Sequence, residues 1–589
     1  MDHYERYQAW LTGNEFDDET KSELKSIADD EREIKDRFYK ELSFGTGGLR
    51  GVVGAGTNRM NFYTVGKANQ GLADFINAQT GNNGSVAIAY DSRRMSKEFA
   101  LSSALILAAN GVKAYLFDAL RPTPELSFAV RYLGCTAGIV ITASHNPPEY
   151  NGYKVYWSDG GQIVPPYDEK IINSIKAVKS FSDIKKIDEK TALDSGLLTY
   201  IGKEIDDAYI EEVKKNVLNK DLIKNFSKNV KIVYTPLYGT GLMLVKRVLD
   251  ELGFVNVHIV EEQTTPVYLT SGAVKLNPED PLAFESAIEL AKKVDADIIL
   301  ATDPDADRLG VYAKNTRTGR YDRFNGNMSG LLIAEYEISQ KQQKGLLPEN
   351  SKAGAIVTTI VSSKMAKDIA NEYGLTYVET LTGFKYIGEQ IKNFEQARNE
   401  NGGKLNDELG AYEYLFGFEE SYGCLVGTHA RDKDAIMAVI ALCDAVTYYK
   451  SQGLTLCDQM VNVYKKYGYY VEDLTSVTLP GADGAEKIAE IIDAFRNRTP
   501  SVIGGEKVLA LRDYLTGERK VSETEEVEKL TLPKSNVLYF ELENNGWCCV
   551  RPSGTEPKIK FYFGAKGESD ESALYKLELI KRGILKLTK

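Results

Sequence analysis

The sequence predicts an α/β protein assembled from several units, with related α/β units in series and a smaller α+β unit at the end. Three observations predict it. At 589 residues the chain exceeds what one hydrophobic core supports, and at ~100–200 residues per domain it holds roughly three to five units. Its composition, 43% hydrophobic and 26% charged, is that of an ordinary packed globular chain. Short β-rich runs at 85–90, 113–117, 138–142, 231–234, 297–300 and 354–359 alternate with helical patterns, as βαβ layers do.

In chain order, the first forty residues are rich in Glu, Asp and Lys, with Leu24, Ile27, Ile34, Phe38 and Leu42 at helical spacing. They predict a helical lead-in solvated on one face. The runs beginning at Ala87, Ile232 and Ala355 enter polar loops in a similar way, which suggests a threefold duplication of one α/β unit rather than three unrelated strands. The apolar run from Ala435 to Cys443, bounded by Asp434 and Asp444, predicts a buried helix, far short of the ~20 residues that span a bilayer. Beyond about residue 460 strands and helices mix, with a hairpin-like region at 537–563 and a closing helix from Glu571. The expected units are 1–208, 209–318, 319–458 and 459–589.

Charge and cysteine usage exclude several classes. A net charge of −12 is the wrong sign for a general nucleic-acid binder, so any anion must meet locally concentrated positive charge. The six cysteines show no C-x-x-C spacing and read as reduced, packed thiols. The segment Met-Asp-His-Tyr-Glu-Arg lacks the apolar run of a secretory signal, so a cytoplasmic location is expected, with no membrane span.

Four loops carry candidate chemistry. In T-A-S-H-N-P, Ser144 sits where a buried strand meets solvent, the place at which α/β sheets put ligands. Ala143 and His145 flank it where a hydrolase elbow needs glycines, so serine-hydrolase chemistry loses support. His145, Lys154 or a basic side chain from another loop can serve as its proton partner. In D-P-D-A-D-R, Asp303, Asp305 and Asp307 alternate, so in extended backbone their carboxylates share a side and converge on a hard cation. A calcium EF-hand starting there would need glycine at Arg308 and glutamate at Lys314, and both fail. In G-F-E-E-S-Y-G, Glu419 and Ser421 suit polyol hydroxyls, and His429, Arg431 and Lys433 follow as a basic cluster able to hold a phosphate or take a proton. In R-P-S-G-T-E-P, Arg551, Ser553, Gly554 and Thr555 make an anion cradle without a Walker lysine.

The order of these four motifs, with F-G-T-G-G-L-R-G ahead of them at 44–51, resembles the α-D-phosphohexomutase family over residues 45 to 565. The lead-in is similar to the family's phosphoglucomutase-2-like branch. The resemblance implies a heart-shaped molecule of four domains around one cleft, three related α/β domains and a different last one. It implies that Ser144 is carried as phosphoserine, with Mg²⁺ held by its phosphate together with Asp303, Asp305 and Asp307. Glu419 and Ser421 are then expected to bind sugar hydroxyls, and Arg551, Ser553, Gly554 and Thr555 the phosphate that is not reacting. Arg50 and Lys154 match positions near the phosphoserine, Lys433 a lysine credited with proton transfer, and Lys385 a substrate loop. The implied reaction interconverts glucose 1-phosphate and glucose 6-phosphate through glucose 1,6-bisphosphate, which also primes the enzyme. Phosphopentomutase or phosphomannomutase activity is the alternative, and a Mg²⁺-dependent sugar phosphatase a further one. A monomer or weak homodimer is expected, with a sugar phosphate as its partner and no nucleic acid or membrane.

Overall fold

The computed structural model describes residues 1–45, 47–269, 274–479, 482–552 and 558–588. Its first sheet contains β1 (Gly48–Val52), β2 (Ser85–Tyr90), β3 (Lys113–Phe117), β4 (Ala137–Ile141), β5 (Tyr150–Trp157) and β6 (Leu198–Ile201), in the order β1-β5-β4-β2-β3-β6. The second contains β7 (Ile232–Thr235), β8 (Val257–Ile259), β9 (Ile298–Thr302), β10 (Leu309–Asn315) and β11 (Arg320–Phe324), ordered β11-β10-β9-β7-β8. The third contains β12 (Gly354–Thr359), β13 (Thr376–Thr380), β14 (Glu413–Glu419) and β15 (Gly423–Val426), ordered β13-β12-β14-β15.

These three sheets share one four-strand plan. A first strand (β2, β7, β12) pairs in parallel with the second (β3, β8, β13) on one side and the third (β4, β9, β14) on the other. A fourth strand (β5, β10, β15) then lies antiparallel to the third. The recurrence supports the duplication that three similar strand ends suggested. Helices cover both faces of the parallel strands, so β4, β9 and β12 are buried along their whole length and carry apolar or small residues with threonine only at their ends. One buried cluster runs through all three units, including Val140, Leu300, Phe416 and Ile440. Ile440 belongs to the helix Ala435–Ser451, the apolar run of the sequence. Among the described residues no helix is long and apolar enough to cross a membrane.

The last unit is an antiparallel sheet. Its strands are β16 (Tyr469–Thr478), β17 (Val502–Ile503), β18 (Glu506–Asp513), β19 (Glu518–Val521), β20 (Val527–Lys529), β21 (Leu538–Leu542), β22 (Trp547–Pro552) and β23 (Lys558–Gly567). Their order is β16-β23-β22-β21-β18-β19-β20, with β17 on β18. The helix Asp570–Lys586 packs Ile580 and Ile584 against Phe540 and Phe561 in a core of its own. The expected limits at 208 and 458 fall inside the helices Lys203–Lys215 and Leu456–Tyr467, each of which touches elements of more than one unit. Junctions built of helix leave no change of composition to read.

The lead-in folds as three helices, His3–Thr12, Asp18–Ser26 and Glu31–Phe38. Asp2, Asp17 and Asp30 cap them by accepting from Glu5, Thr20 and Glu33 N–H at 2.8, 2.7 and 2.9 Å. Tyr7, Trp10, Phe16, Leu24, Ile34 and Phe38 form their core. The inner face is packed as well. Arg37 donates to Ala55 O at 3.1 Å, and Glu23 accepts the Ala55 N–H at 3.2 Å, so the lead-in grips the turn after β1.

Candidate active site

Three of the four loops singled out in the sequence occupy one position in the repeated plan, the connection from third to fourth strand. Ser144 lies between β4 and β5, the three aspartates between β9 and β10, and Ser421 between β14 and β15. These are the carboxyl ends of parallel strands, where an α/β sheet leaves a crevice. They open into one cavity of about 1120 Å³, lined by residues of all four units, among them Arg50, Ser144, Asp307, Glu419, Lys433 and Arg551.

Ser144 is 3% exposed and holds a left-handed backbone, φ 52°. Its N–H is satisfied by Thr142 Oγ1 at 2.8 Å, and its hydroxyl donates to Asp303 Oδ2 at 2.8 Å. His145 Nδ1 lies 3.2 Å from that hydroxyl. Burial, with Arg308 and Arg50 nearby, pushes the imidazole down to about 2, so His145 is neutral at physiological pH. Arg50 reaches from the edge strand β1 and donates to Asn146 Oδ1 at 3.1 Å.

The acid loop is a turn, not the extended segment expected from the alternating aspartates. Asp303 Oδ1 accepts the N–H groups of Asp307 and Arg308 at 3.1 Å, and Ala306 is left-handed at φ 51°. That turn, rather than strand alternation, brings one oxygen of each aspartate within 4.8 Å of the others. Burial and the two neighbouring carboxylates push Asp303 well above its ordinary range. Asp305 goes the other way, because Lys154 outweighs its burial. Lys154 Nζ lies 2.8 Å from Asp305 Oδ2 and 3.5 Å from Asp307 Oδ2, and Lys433 Nζ lies 3.1 Å from Asp307 Oδ2. Against their burial, these carboxylates hold both ammonium groups above the usual range and charged. Oδ1 of Asp305 and of Asp307 is buried without a hydrogen-bond partner. Converging, dry, oxygen-only donors with two unpaired atoms fit a hard divalent cation.

Glu419 is 4% exposed, and burial raises it despite Lys433 and Arg308. Ser421 and Lys385 also line the cavity, Lys385 with its ammonium 5.1 Å from the Tyr386 ring. Arg551 on β22 stands directly opposite Lys560 on β23. Ser553, Gly554 and Thr555 lie outside the described residues.

Arg431 is not brought to the cavity. Its guanidinium bonds to Thr428 O, Ala430 O and Glu395, and its N–H donates to Ser127 Oγ at 2.8 Å. With 1% exposure it is a strut between the first and third units, and the expectation that it binds substrate is not met. His429 is likewise interior, 2.7 Å from Asp434 Oδ2.

Some residues at the site escaped the sequence reading. Thr123 Oγ1 donates to Asp305 Oδ2 at 3.0 Å from another unit. Arg308 pairs with Glu279 at 2.9 Å while lining the cavity, and its place beside the acid motif was the available signal. Lys560 and Tyr562 line the cavity from β23.

Models of the phosphoglucomutase/phosphomannomutase family match this architecture in register. The alpha/beta/alpha domains I, II and III match residues 41–181, 207–318 and 325–467, and the C-terminal domain matches 514–582. The chain belongs to this phosphohexomutase family. It is 38% identical over 536 residues to a phosphoglucomutase of Staphylococcus aureus, covering 91% of each chain. It is also 38% identical over 548 residues to one of Staphylococcus saprophyticus, covering 93% of this chain and 95% of that relative. The fold is shared with the crystal structure of the Paramecium phosphoglucomutase pp63/parafusin in its open form. That likeness has a TM-score of 0.66 at 18% identity, over 93% of this chain and 95% of the other. As a phosphohexomutase the chain is an isomerase, and its acid loop is the part of the family fold suited to a metal.

Proposed function

We propose that this phosphohexomutase is a phosphoglucomutase, interconverting glucose 1-phosphate and glucose 6-phosphate through phosphorylated Ser144 and a glucose 1,6-bisphosphate intermediate. The observation that carries the reading is the Ser144 hydroxyl, 2.8 Å from Asp303 across two units, at the wall of a cavity ringed with cations.

Phosphoryl transfer asks a protein for alignment and for neutralisation of spread negative charge more than for covalent help. Mg²⁺ held by Asp303, Asp305, Asp307 and an oxygen of the serine phosphate would supply part of that neutralisation. Lys154 and Lys433, kept charged by the same carboxylates, supply more, with Arg50 and Arg308 beside them. As the bond from phosphorus to Ser144 Oγ breaks, the sugar hydroxyl forms the new one and loses its proton, and Oγ regains one. His145, 3.2 Å from Oγ, and the amino groups of Lys154 and Lys433 beside the acid loop are the candidates for moving that proton. Glu419 and Ser421 orient sugar hydroxyls. Arg551, Ser553, Gly554 and Thr555 hold the distal phosphate, and Lys385 stands near the substrate. A cavity of about 1120 Å³ leaves room for a bisphosphate to turn over before its second phosphate returns to Ser144. The same reading has the enzyme acting on a soluble sugar phosphate in the cytoplasm, as a monomer or weak homodimer.

Turnover of glucose 1-phosphate, mannose 1-phosphate and ribose 1-phosphate, measured side by side with Mg²⁺ and a trace of glucose 1,6-bisphosphate, tests this. Glucose 6-phosphate should form fastest and without accumulation of inorganic phosphate. A clear pentose or mannose preference overturns the substrate, and net phosphate release overturns the mutase.

A further inference from the structure

Each α/β unit has a second loop that the proposed chemistry leaves unused, the one leaving its first strand. In the second unit this loop runs beneath the acid loop. Thr240 donates its N–H and hydroxyl to Pro304 O at 2.8 and 3.0 Å, and a Cβ on Gly239 would fall 2.3 Å from Pro304 Cα. In the third unit Thr359, the last residue of β12, donates to Glu420 Oε2 at 3.1 Å and shares a hydroxyl bond of 2.9 Å with Ser362. In both, the first loop braces the loop that faces the cavity.

In the first unit the brace is a single side chain, Arg93. Its guanidinium is wholly buried and does not line the cavity. Nη1 donates to Pro147 O and Tyr150 O at 2.8 and 3.0 Å, and Nη2 donates to Ser144 O and Asn146 O. Nε faces Asp91 Oδ2 at 3.3 Å, and Asp91 accepts in turn from the Arg93 N–H and Ser96 Oγ at 2.9 and 2.7 Å. Four carbonyls of one turn therefore converge on one planar cation. A non-glycine residue stays left-handed only where its surroundings over-determine it, and Ser144 sits at φ 52°. The conformation that aims its hydroxyl at Asp303 leaves these carbonyls facing the buried guanidinium. A fork of donors satisfies them together, and a point charge does not.

We propose that Arg93 is the positioning residue that holds Ser144 in its left-handed conformation, with its hydroxyl turned toward the acid loop. The activity arm of the test rests on the reading of Ser144 as the phosphoryl carrier. The structural arm does not.

The test takes Arg93→Lys and Arg93→Ala in the full chain, with Asp91→Asn as a milder third variant. Amide hydrogen exchange is followed through 142–151, phosphorylation by glucose 1,6-bisphosphate is followed by intact mass, and kcat and KM are measured for glucose 1-phosphate. In Arg93→Lys, exchange at 144–150 should rise at least tenfold while distant segments keep their protection. Serine phosphorylation and kcat should fall by roughly 10²-fold, the scale set by a misplaced reacting group, with KM within threefold. Guanidinium ion added to Arg93→Ala should restore part of the rate. Unchanged exchange at 144–150 overturns the assignment, and so does a raised KM with kcat preserved. Global unfolding of Arg93→Lys passes the decision to Asp91→Asn, for which wild-type exchange at 144–150 overturns it and a smaller local rise supports it. A wild-type chain that transfers no phosphoryl group would end the mutase reading, and the exchange arm alone would then decide the brace.

Discussion

At the scale of the residue, the site is a balance of buried charges. Asp303 and Asp305 are fully buried, Asp307 is 2% exposed, and Lys154 and Lys433 lie among them. Removing one carboxylate leaves a buried ammonium short of a partner and any cation short of a ligand. Asp305→Ala should therefore lose several kcal/mol of transition-state stabilisation, a fall in kcat on the order of 10²–10³-fold, while circular dichroism stays that of the wild type. Ser144→Ala should abolish isomerisation and the mass increment of a single phosphate after incubation with glucose 1,6-bisphosphate, and a surviving increment would place the carrier elsewhere. Ser144 and the aspartates were legible because each lies at a strand end among turn formers, a local signal. Thr123 was not, because its partner Asp305 is 182 residues away along the chain. Arg431 misled for the same reason, since Glu395 and Ser127, which turn it inward, are invisible in the motif around it.

At the scale of the element, the lead-in is a working part of the first unit. The helix Glu31–Phe38 sits on the glycine turn after β1, where a Cβ on Gly56, at φ 136°, would lie 2.8 Å from Arg37 O. Arg37 also pairs with Glu23 and with Glu33, which tie the helices to that turn. β1 carries Arg50, so a loose turn is a loose cavity wall. Arg37→Ala should cost about 1.5–3 kcal/mol of local stability, the scale of a charged hydrogen bond lost at a part-buried site. Limited proteolysis or hydrogen exchange across 48–60 should accelerate while the fourth unit is unaffected, and wild-type protection there would show the lead-in to be only an appendage. Amphipathic spacing revealed these helices, yet their second buried face escaped it, because Trp10 and Phe16 pack on Tyr63 and Phe181, far along the chain.

At the scale of the whole molecule, the last unit meets the third along a seam in which Ile360, Val361 and Leu381 pack against Tyr539, Trp547 and Tyr562, flanked by polar contacts. Glu472 of β16 accepts from Asn327 Nδ2 at 3.1 Å, while its Oε1 is buried and unpaired. Burial, opposed by the nearby Ser363 and by Asn327, pushes its carboxyl up to about 7. A carboxyl raised within the seam binds its proton more tightly there than when exposed to water, where it stays near the ordinary value of 4.5. Its contribution to the seam is thus fully present below the ordinary value and is lost as pH rises through the raised one. Small-angle scattering or hydrogen exchange between pH 5 and 8 should find the seam loosening toward pH 8. Glu472→Gln should keep the seam's protection across the range, and an equal response in both proteins would remove Glu472 from the seam's control.

By itself the sequence determined the α/β class, the helical lead-in and the three loops that recur at one connection of the sheet plan. All of these are local matters of strand burial, turn chemistry and spacing. Tertiary structure alone decided which cations pair with which aspartates, that Arg431 is a strut, and that Arg93 underlies Ser144. Those outcomes depend on side chains meeting across units, and they follow from how three copies of one sheet plan turn the same connection toward a shared space.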